Sequence, residues 1–228
     1  MQGQFQRLKD NGYEYLYLDR GETTPILFIL HGYGANAMDL AGLAHYLDPD
    51  GKWSWVFPEA PIRLSPMANA KGWFPIDEQA IQQAMMTGVP RNFQTQEVAG
   101  LEDKVNQLKS FIDGFSSQRK MIIGGFSQGG MMSLHIHRHF KDKLAGLLLM
   151  SCAIIDEDKF QAVSNPDFRT MMTHGKNDPV VSYNEGKYAK TKLEENQYQV
   201  ELHDFEGGHE ISLSALDKIK QYLIESCS

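Results

Sequence analysis

The sequence predicts an α/β fold, a mostly parallel central sheet with helices on both faces, and three observations predict it. Short apolar runs suited to strands alternate along the chain with longer helix-spaced segments. Nothing repeats, and no stretch rich in Gly, Ser or Pro divides the 228 residues. The length suits one domain, which buries roughly 70–75% of its unfolded surface. Residues 1–228 are therefore read as a single domain with no large cap.

In order, strands are expected at 13–18, 26–30, 55–57, 121–124, 144–150, 168–174 and 199–204. Each is short and rich in apolar or alternating residues. Helices are expected at 38–47, 96–115, 129–140, 183–194 and 212–225. Val98, Leu101, Val105, Leu108, Phe111 and Ile112 recur at helical spacing, as do Leu213, Leu216, Ile219, Leu223 and Ile224. Both stripes read as core-facing scaffold. Residues 77–100 are left open as lid, loop or interface.

The chemistry centres on Gly125-Phe126-Ser127-Gln128-Gly129, which follows the apolar run Met121-Ile122-Ile123-Gly124. Gly-x-Ser-x-Gly between a strand and a helix is a nucleophile elbow, a turn so tight that only small residues fit two places either side of the serine. A serine among glycines is more often a mere turn, so context decides. Walker spacing and Gly-x-Gly-x-x-Gly are both absent, which disfavours a phosphate cradle.

A serine hydroxyl needs a base to become nucleophilic, and the base needs a carboxylate to hold its tautomer. α/β-Hydrolases carry these in the chain order Ser, acid, His, each after a strand. Asp178 follows the run ending His174-Gly175, and His209 follows the alternating run 198–203 through Glu206-Gly207-Gly208. Alone, Asp178-Pro179 would be a turn opener and His209 a solvated loop residue. Together with Ser127, in order and at strand ends, they read as a catalytic triad.

Two N–H donors must receive the developing oxyanion, each worth on the order of 3 kcal/mol. The backbone of Gln128, just after the nucleophile, is one candidate. The other is Tyr33 in His31-Gly32-Tyr33-Gly34-Ala35, a glycine-rich turn after the strand at 26–30. His31 reads as structural, tying that turn down.

These pieces resemble the phospholipase/carboxylesterase group of α/β-hydrolases, which includes acyl-protein thioesterases and small bacterial carboxylesterases. The matching segments are Leu30-His31-Gly32-Tyr33-Gly34, Phe57-Pro58-Glu59-Ala60-Pro61, Gly72-Trp73-Phe74, residues 124–130, Leu149-Met150-Ser151-Cys152, His174-Gly175-x-x-Asp178-Pro179-Val180-Val181 and Gly208-His209-Glu210-Ile211. They run in family order over about residues 25–225. The resemblance implies Ser127 as nucleophile, Asp178 as acid, His209 as base, Tyr33 and Gln128 as oxyanion donors, and cofactor-free hydrolysis of esters or thioesters. The chain departs from the family after Trp73-Phe74, where Pro75-Ile76 precede Asp77, and over residues 77–100.

The expected function is hydrolysis of carboxylic esters, of short to medium acyl chain or lysophospholipid-like, through an acyl-enzyme. The rival within the class is a thioesterase acting on S-acylated protein or acyl-CoA. Outside it stands a non-catalytic ligand-binding protein of the same fold, which should have lost a triad residue. Peptidase activity is disfavoured, since no propeller or large cap is evident. Trp73, Phe74, Pro58 and Met67 are expected to line the substrate pocket, with Met85 and Met86 as further acyl-wall candidates.

The net charge of −7 argues against nucleic acid as a partner. No run of 18 apolar residues could cross a membrane, and the N-terminus lacks a secretory apolar stretch, so a cytoplasmic location is expected. Cys152 reads as a core thiol. The cluster His135-Ile136-His137-Arg138-His139 suggests a metal site, but no carboxylate or cysteine ligand lies near in sequence. It is read as a solvated or helix-end cluster, and no metal, cofactor or oligomeric state is assigned.

Overall fold

A computed structural model describes residues 3–65, 68–87, 91–115, 119–163 and 166–227. Its strands are β1 (Gln6–Asp10), β2 (Tyr13–Leu18), β3 (Ile26–Leu30), β4 (Ser54–Pro58), β5 (Ile62–Arg63), β6 (Lys71–Gly72), β7 (Met121–Phe126), β8 (Leu144–Met150), β9 (Arg169–Gly175) and β10 (Gln199–Phe205). Its helices are α1 (Ala37–Ala41), α2 (Leu43–Leu47), α3 (Glu78–Thr87), α4 (Leu101–Asp113), α5 (Gln128–Ile136), α6 (Tyr183–Glu195) and α7 (Leu213–Glu225).

Eight strands form one sheet in the order β1-β2-β4-β3-β7-β8-β9-β10. Pairing is parallel from β4 through β10, and antiparallel only where β2 meets β1 and β4. Strands covered on both faces must be apolar throughout, and β3 and β4 are buried at every position. The pleat divides their side chains. Ile26, Phe28 and Leu30 pack with α4, α5 and α6 on one face; Leu27 and Ile29 pack with α1, α2 and α7 on the other.

The expected strands are all present, with small shifts at their ends. β1 was not expected, because all five of its residues are exposed and Gln6-Arg7-Leu8-Lys9-Asp10 shows no apolar face. The expected helix at 38–47 is two short helices broken at Gly42. The expected helix at 96–115 begins only at Leu101, after Gly100 in a left-handed conformation (φ 65°). The expected helix at 129–140 ends at Ile136 and continues as a 3-10 turn over His137–Phe140. On α7 the inward stripe is Ala215, Ile219, Tyr222 and Leu223, whereas Leu213 and Ile224 are exposed.

The open segment 77–100 contains α3 and a stretch docked on the fold. Phe93 and Val98 are buried, and Val98 N–H donates to Asp156 Oδ2 at 3.0 Å. Gln94 accepts from Glu157 N–H at 2.9 Å, and its amide donates to Glu185 Oε2 at 3.4 Å. Residues 88–90 lie outside the described residues.

The histidine cluster sits at the end of α5, as one of the two expectations had it, but His135 and His137 are buried rather than solvated. His135 donates from Nε2 to Ile155 O at 2.9 Å, and His137 accepts at Nε2 from the Tyr198 hydroxyl at 2.5 Å. Both rings are buried, and burial pushes each pKa down to about 4. Cys152 is buried as expected, its thiol pushed up to about 12 by desolvation.

Candidate active site

Parallel strands present their C-terminal ends together, and in open α/β sheets that edge carries the ligand crevice. Ser127 leaves the end of β7, Asp178 follows β9, and His209 follows β10. Only β8 separates the nucleophile strand from the acid strand.

The turn at Ser127 has φ 54° and ψ −120°, a conformation that costs a non-glycine residue about 1–3 kcal/mol. The surroundings hold it there: Ser127 N–H donates to Met150 O at 2.8 Å, and Ser127 O accepts from Met131 N–H at 3.0 Å. The flanking glycines are demanded by close approach. A Cβ on Gly125 would sit 2.4 Å from Gly129 C, and one on Gly129 would sit 2.1 Å from Leu30 O. Both obstacles are backbone. Gly129→Ala is therefore expected to destabilise the fold by about 2–3 kcal/mol, seen as a lower urea midpoint. An unchanged midpoint would contradict the close packing of α5 on β3.

The loops carrying Asp178 and His209 are joined through their backbones. Lys176 N–H donates to Phe205 O and Asn177 N–H to Gly207 O, each at 2.9 Å. Asp178 is buried, and its Oδ1 accepts from Val180 N–H at 2.8 Å and Val181 N–H at 2.9 Å. That leaves Oδ2 for His209 Nδ1, at 2.6 Å. His209 Nε2 lies 2.9 Å from Ser127 Oγ. The ring of Phe126 packs on the imidazole with centroids 4.8 Å apart. Ser127, His209 and Asp178 thus form one hydrogen-bonded chain, 82 and 31 residues apart in sequence.

The turn after β3 lies against the nucleophile. A Cβ on Gly32 would come 3.4 Å from Ser127 Cβ. Gly34 N–H donates to Lys71 O at 2.9 Å and Lys71 N–H to Ala35 O at 3.0 Å. His31 is buried and accepts at Nε2 from Ala60 N–H at 3.0 Å, so Nδ1 carries the proton it donates to Gly32 O at 2.8 Å. Burial depresses its pKa, in keeping with a structural ring. The backbone N–H of Gln128 opens α5, where the helix offers no acceptor.

Sequence reasoning missed two parts. The Gln128 side chain accepts from Trp73 N–H and donates to Phe74 O, each at 2.7 Å. Glu59 lies buried under the turn, with Lys71 Nζ at 3.5 Å, Arg7 Nη1 at 3.3 Å and Ala37 N–H at 3.3 Å. Local sequence holds no sign of either, since the partners are distant in the chain.

Of the residues expected to line the substrate pocket, Trp73, Phe74 and Pro58 are buried. Trp73 acts through its indole, which donates from Nε1 to His31 O at 2.8 Å and so braces the turn carrying Tyr33. Met67 and the Met85 side chain lie outside the described residues. Met86 is 88% exposed and walls nothing.

The fold and this arrangement define an α/β-hydrolase, and comparison with known proteins agrees. A phospholipase/carboxylesterase family model matches residues 12–227. The chain therefore belongs to the phospholipase/carboxylesterase family. Acyl-protein thioesterase 1 of Neurospora crassa is 38% identical over 120 residues, a match spanning 50% of this chain and 49% of that protein. Acyl-protein thioesterase 1 of Kluyveromyces lactis is 27% identical over 217 residues, covering 87% of this chain and 90% of the relative. Among solved structures, esterase PE8 superposes with a TM-score of 0.72 at 25% identity, over 89% of this chain and 93% of that one. Among the described residues no helix is long and apolar enough to cross a membrane.

Proposed function

We propose that this chain hydrolyses carboxylic esters through an acyl-enzyme formed on Ser127. The single observation that carries the reading is the hydrogen-bonded chain from Ser127 Oγ through His209 to Asp178 Oδ2. His209 takes the serine proton as Oγ attacks the carbonyl, and the N–H groups of Gln128 and Tyr33 receive the oxyanion. The imidazolium then protonates the departing alcohol. Water, activated by the same imidazole, releases the acid and restores the serine. Two backbone N–H groups and His209 all donate to the Asp178 carboxylate.

A second reading, thioester hydrolysis, is favoured by the two relatives named acyl-protein thioesterase 1. The same machinery serves it, because a thiolate leaves with less help from the acid. Two free cysteines support a reducing compartment such as the cytoplasm.

A fluorophosphonate probe should label the folded protein once, with the adduct on Ser127 by peptide mass spectrometry. Matched oxoester and thioester substrates, from acetyl to dodecanoyl, then give the leaving-group preference and chain-length optimum as ratios of kcat/KM. No labelling would overturn the reading in favour of a binding protein, and labelling at another residue would overturn Ser127 as the nucleophile.

A further inference from the structure

His174 is the penultimate residue of β9 and is buried against the turn that carries Asp178. Its Nε2 lies 2.9 Å from Val181 O and 3.6 Å from Asp178 Oδ2. Both oxygens only accept, so Nε2 bears the proton and donates it to Val181 O, with Asp178 Oδ2 close by. The opposite ring nitrogen faces α6, where a Cβ on Gly186 would come 2.4 Å from Nδ1. The Tyr183 ring closes another side, with centroids 6.0 Å apart.

We propose that His174 is a positioning residue for Asp178, and that residue 186 is glycine because only glycine leaves the imidazole room. The proposal rests on the catalytic reading given above. Residues 178–181 form a closed turn, in which Asp178 Oδ1 collects the N–H groups of Val180 and Val181. The imidazole pins the far end of that turn through Val181 O. With Oδ1 held and the turn clamped, Oδ2 has one direction left, toward His209 Nδ1. Burial depresses the His174 pKa, so the ring stays neutral and offers a dipole rather than a competing cation. Glycine is otherwise the poorer choice inside a helix such as α6, and its presence there is accounted for by the ring it faces.

The site's substrate contacts lie on Ser127, Gln128 and Tyr33, so loosening Asp178 should act on turnover and spare binding. Misplacement of a catalytic group by an ångström costs on the order of 10- to 100-fold in rate. The test measures kcat and KM on a short p-nitrophenyl ester for wild type, Ser127→Ala, His174→Phe, His174→Gln and Gly186→Ala, each checked for folding by circular dichroism. His174→Phe is expected to lower kcat by about 10- to 100-fold with KM within about twofold. His174→Gln, whose amide N–H reaches the same point, should recover most of that loss. Gly186→Ala should lower kcat in the same sense, although alanine favours the helix. Should His174→Phe fail to fold, Gly186→Ala decides alone.

Wild-type kcat in a folded His174→Phe or in Gly186→Ala would overturn the proposal, as would a His174→Gln no better than His174→Phe. An inactive wild type, or an active Ser127→Ala, would instead remove the catalytic reading and the proposal with it.

Discussion

Ser127→Ala is expected to lower kcat by about 10⁴- to 10⁶-fold, and Asp178→Asn by about 10⁴-fold, in protein that remains folded. The two losses arise differently. Alanine removes the atom that would carry the acyl group. Asparagine keeps the shape, but its amide cannot accept from His209 Nδ1–H on the side that donates, which favours the wrong tautomer at the 2.6 Å contact. Nε2 would then carry a proton toward Ser127 Oγ, 2.9 Å away, and could not take one from it. Combining the substitutions should cost little more than Ser127→Ala alone, because the residues act as a unit. Steady-state kinetics on one ester decides it, and an Asp178→Asn variant within tenfold of wild type would sink the assignment of Asp178.

The elbow and the two later loops were legible because their chemistry is local: glycines beside a serine, a strand before it, an acid and a histidine at later strand ends. β3, β4, β7 and β8 were legible for a similar reason, since burial on both faces leaves apolar runs, whereas β10, at the sheet edge, showed through its alternation. What escaped depends on partners far apart in the chain. β1 has no apolar pattern because an edge strand can lean on hydrogen bonds to β2 alone. Trp73 looked like pocket wall, but its indole and backbone are drawn inward by His31 and Gln128, 42 and 55 residues away. The histidine cluster misled for the same reason, as alternating polar residues at a helix end suggest water while Ile155 and Tyr198 supply buried partners.

Those two histidines are expected to make the protein acid-labile. An unfolded histidine protonates near pH 6.5, whereas His135 and His137 in the fold resist protonation until about pH 4. The unfolded chain therefore binds more protons throughout that window, and stability falls as pH falls through it. Each depressed pKa corresponds to about 3 kcal/mol, fully present above pH 6.5 and lost by about pH 4. Because the rings influence one another, the combined loss is several kcal/mol rather than a strict sum. Urea midpoints at pH 7.5, 6 and 5 should decline steadily. His135→Gln should make the decline shallower by about 1.4 kcal/mol per pH unit. A midpoint unchanged between pH 7.5 and 5 would rule the account out.

The three members of the proposed triad follow three strands of one parallel run, and parallel neighbours can pair only after a whole crossover has been built. The turn at Ser127 is complete once β7 has met β3 and β8, whose Met150 O accepts from Ser127 N–H. The proposed base, His209, still waits for β10 to close the far margin of the sheet. During synthesis the serine therefore emerges well before anything can deprotonate it. A half-made chain carries an inert hydroxyl, and hydrolytic power arrives only when the last strand has found its place.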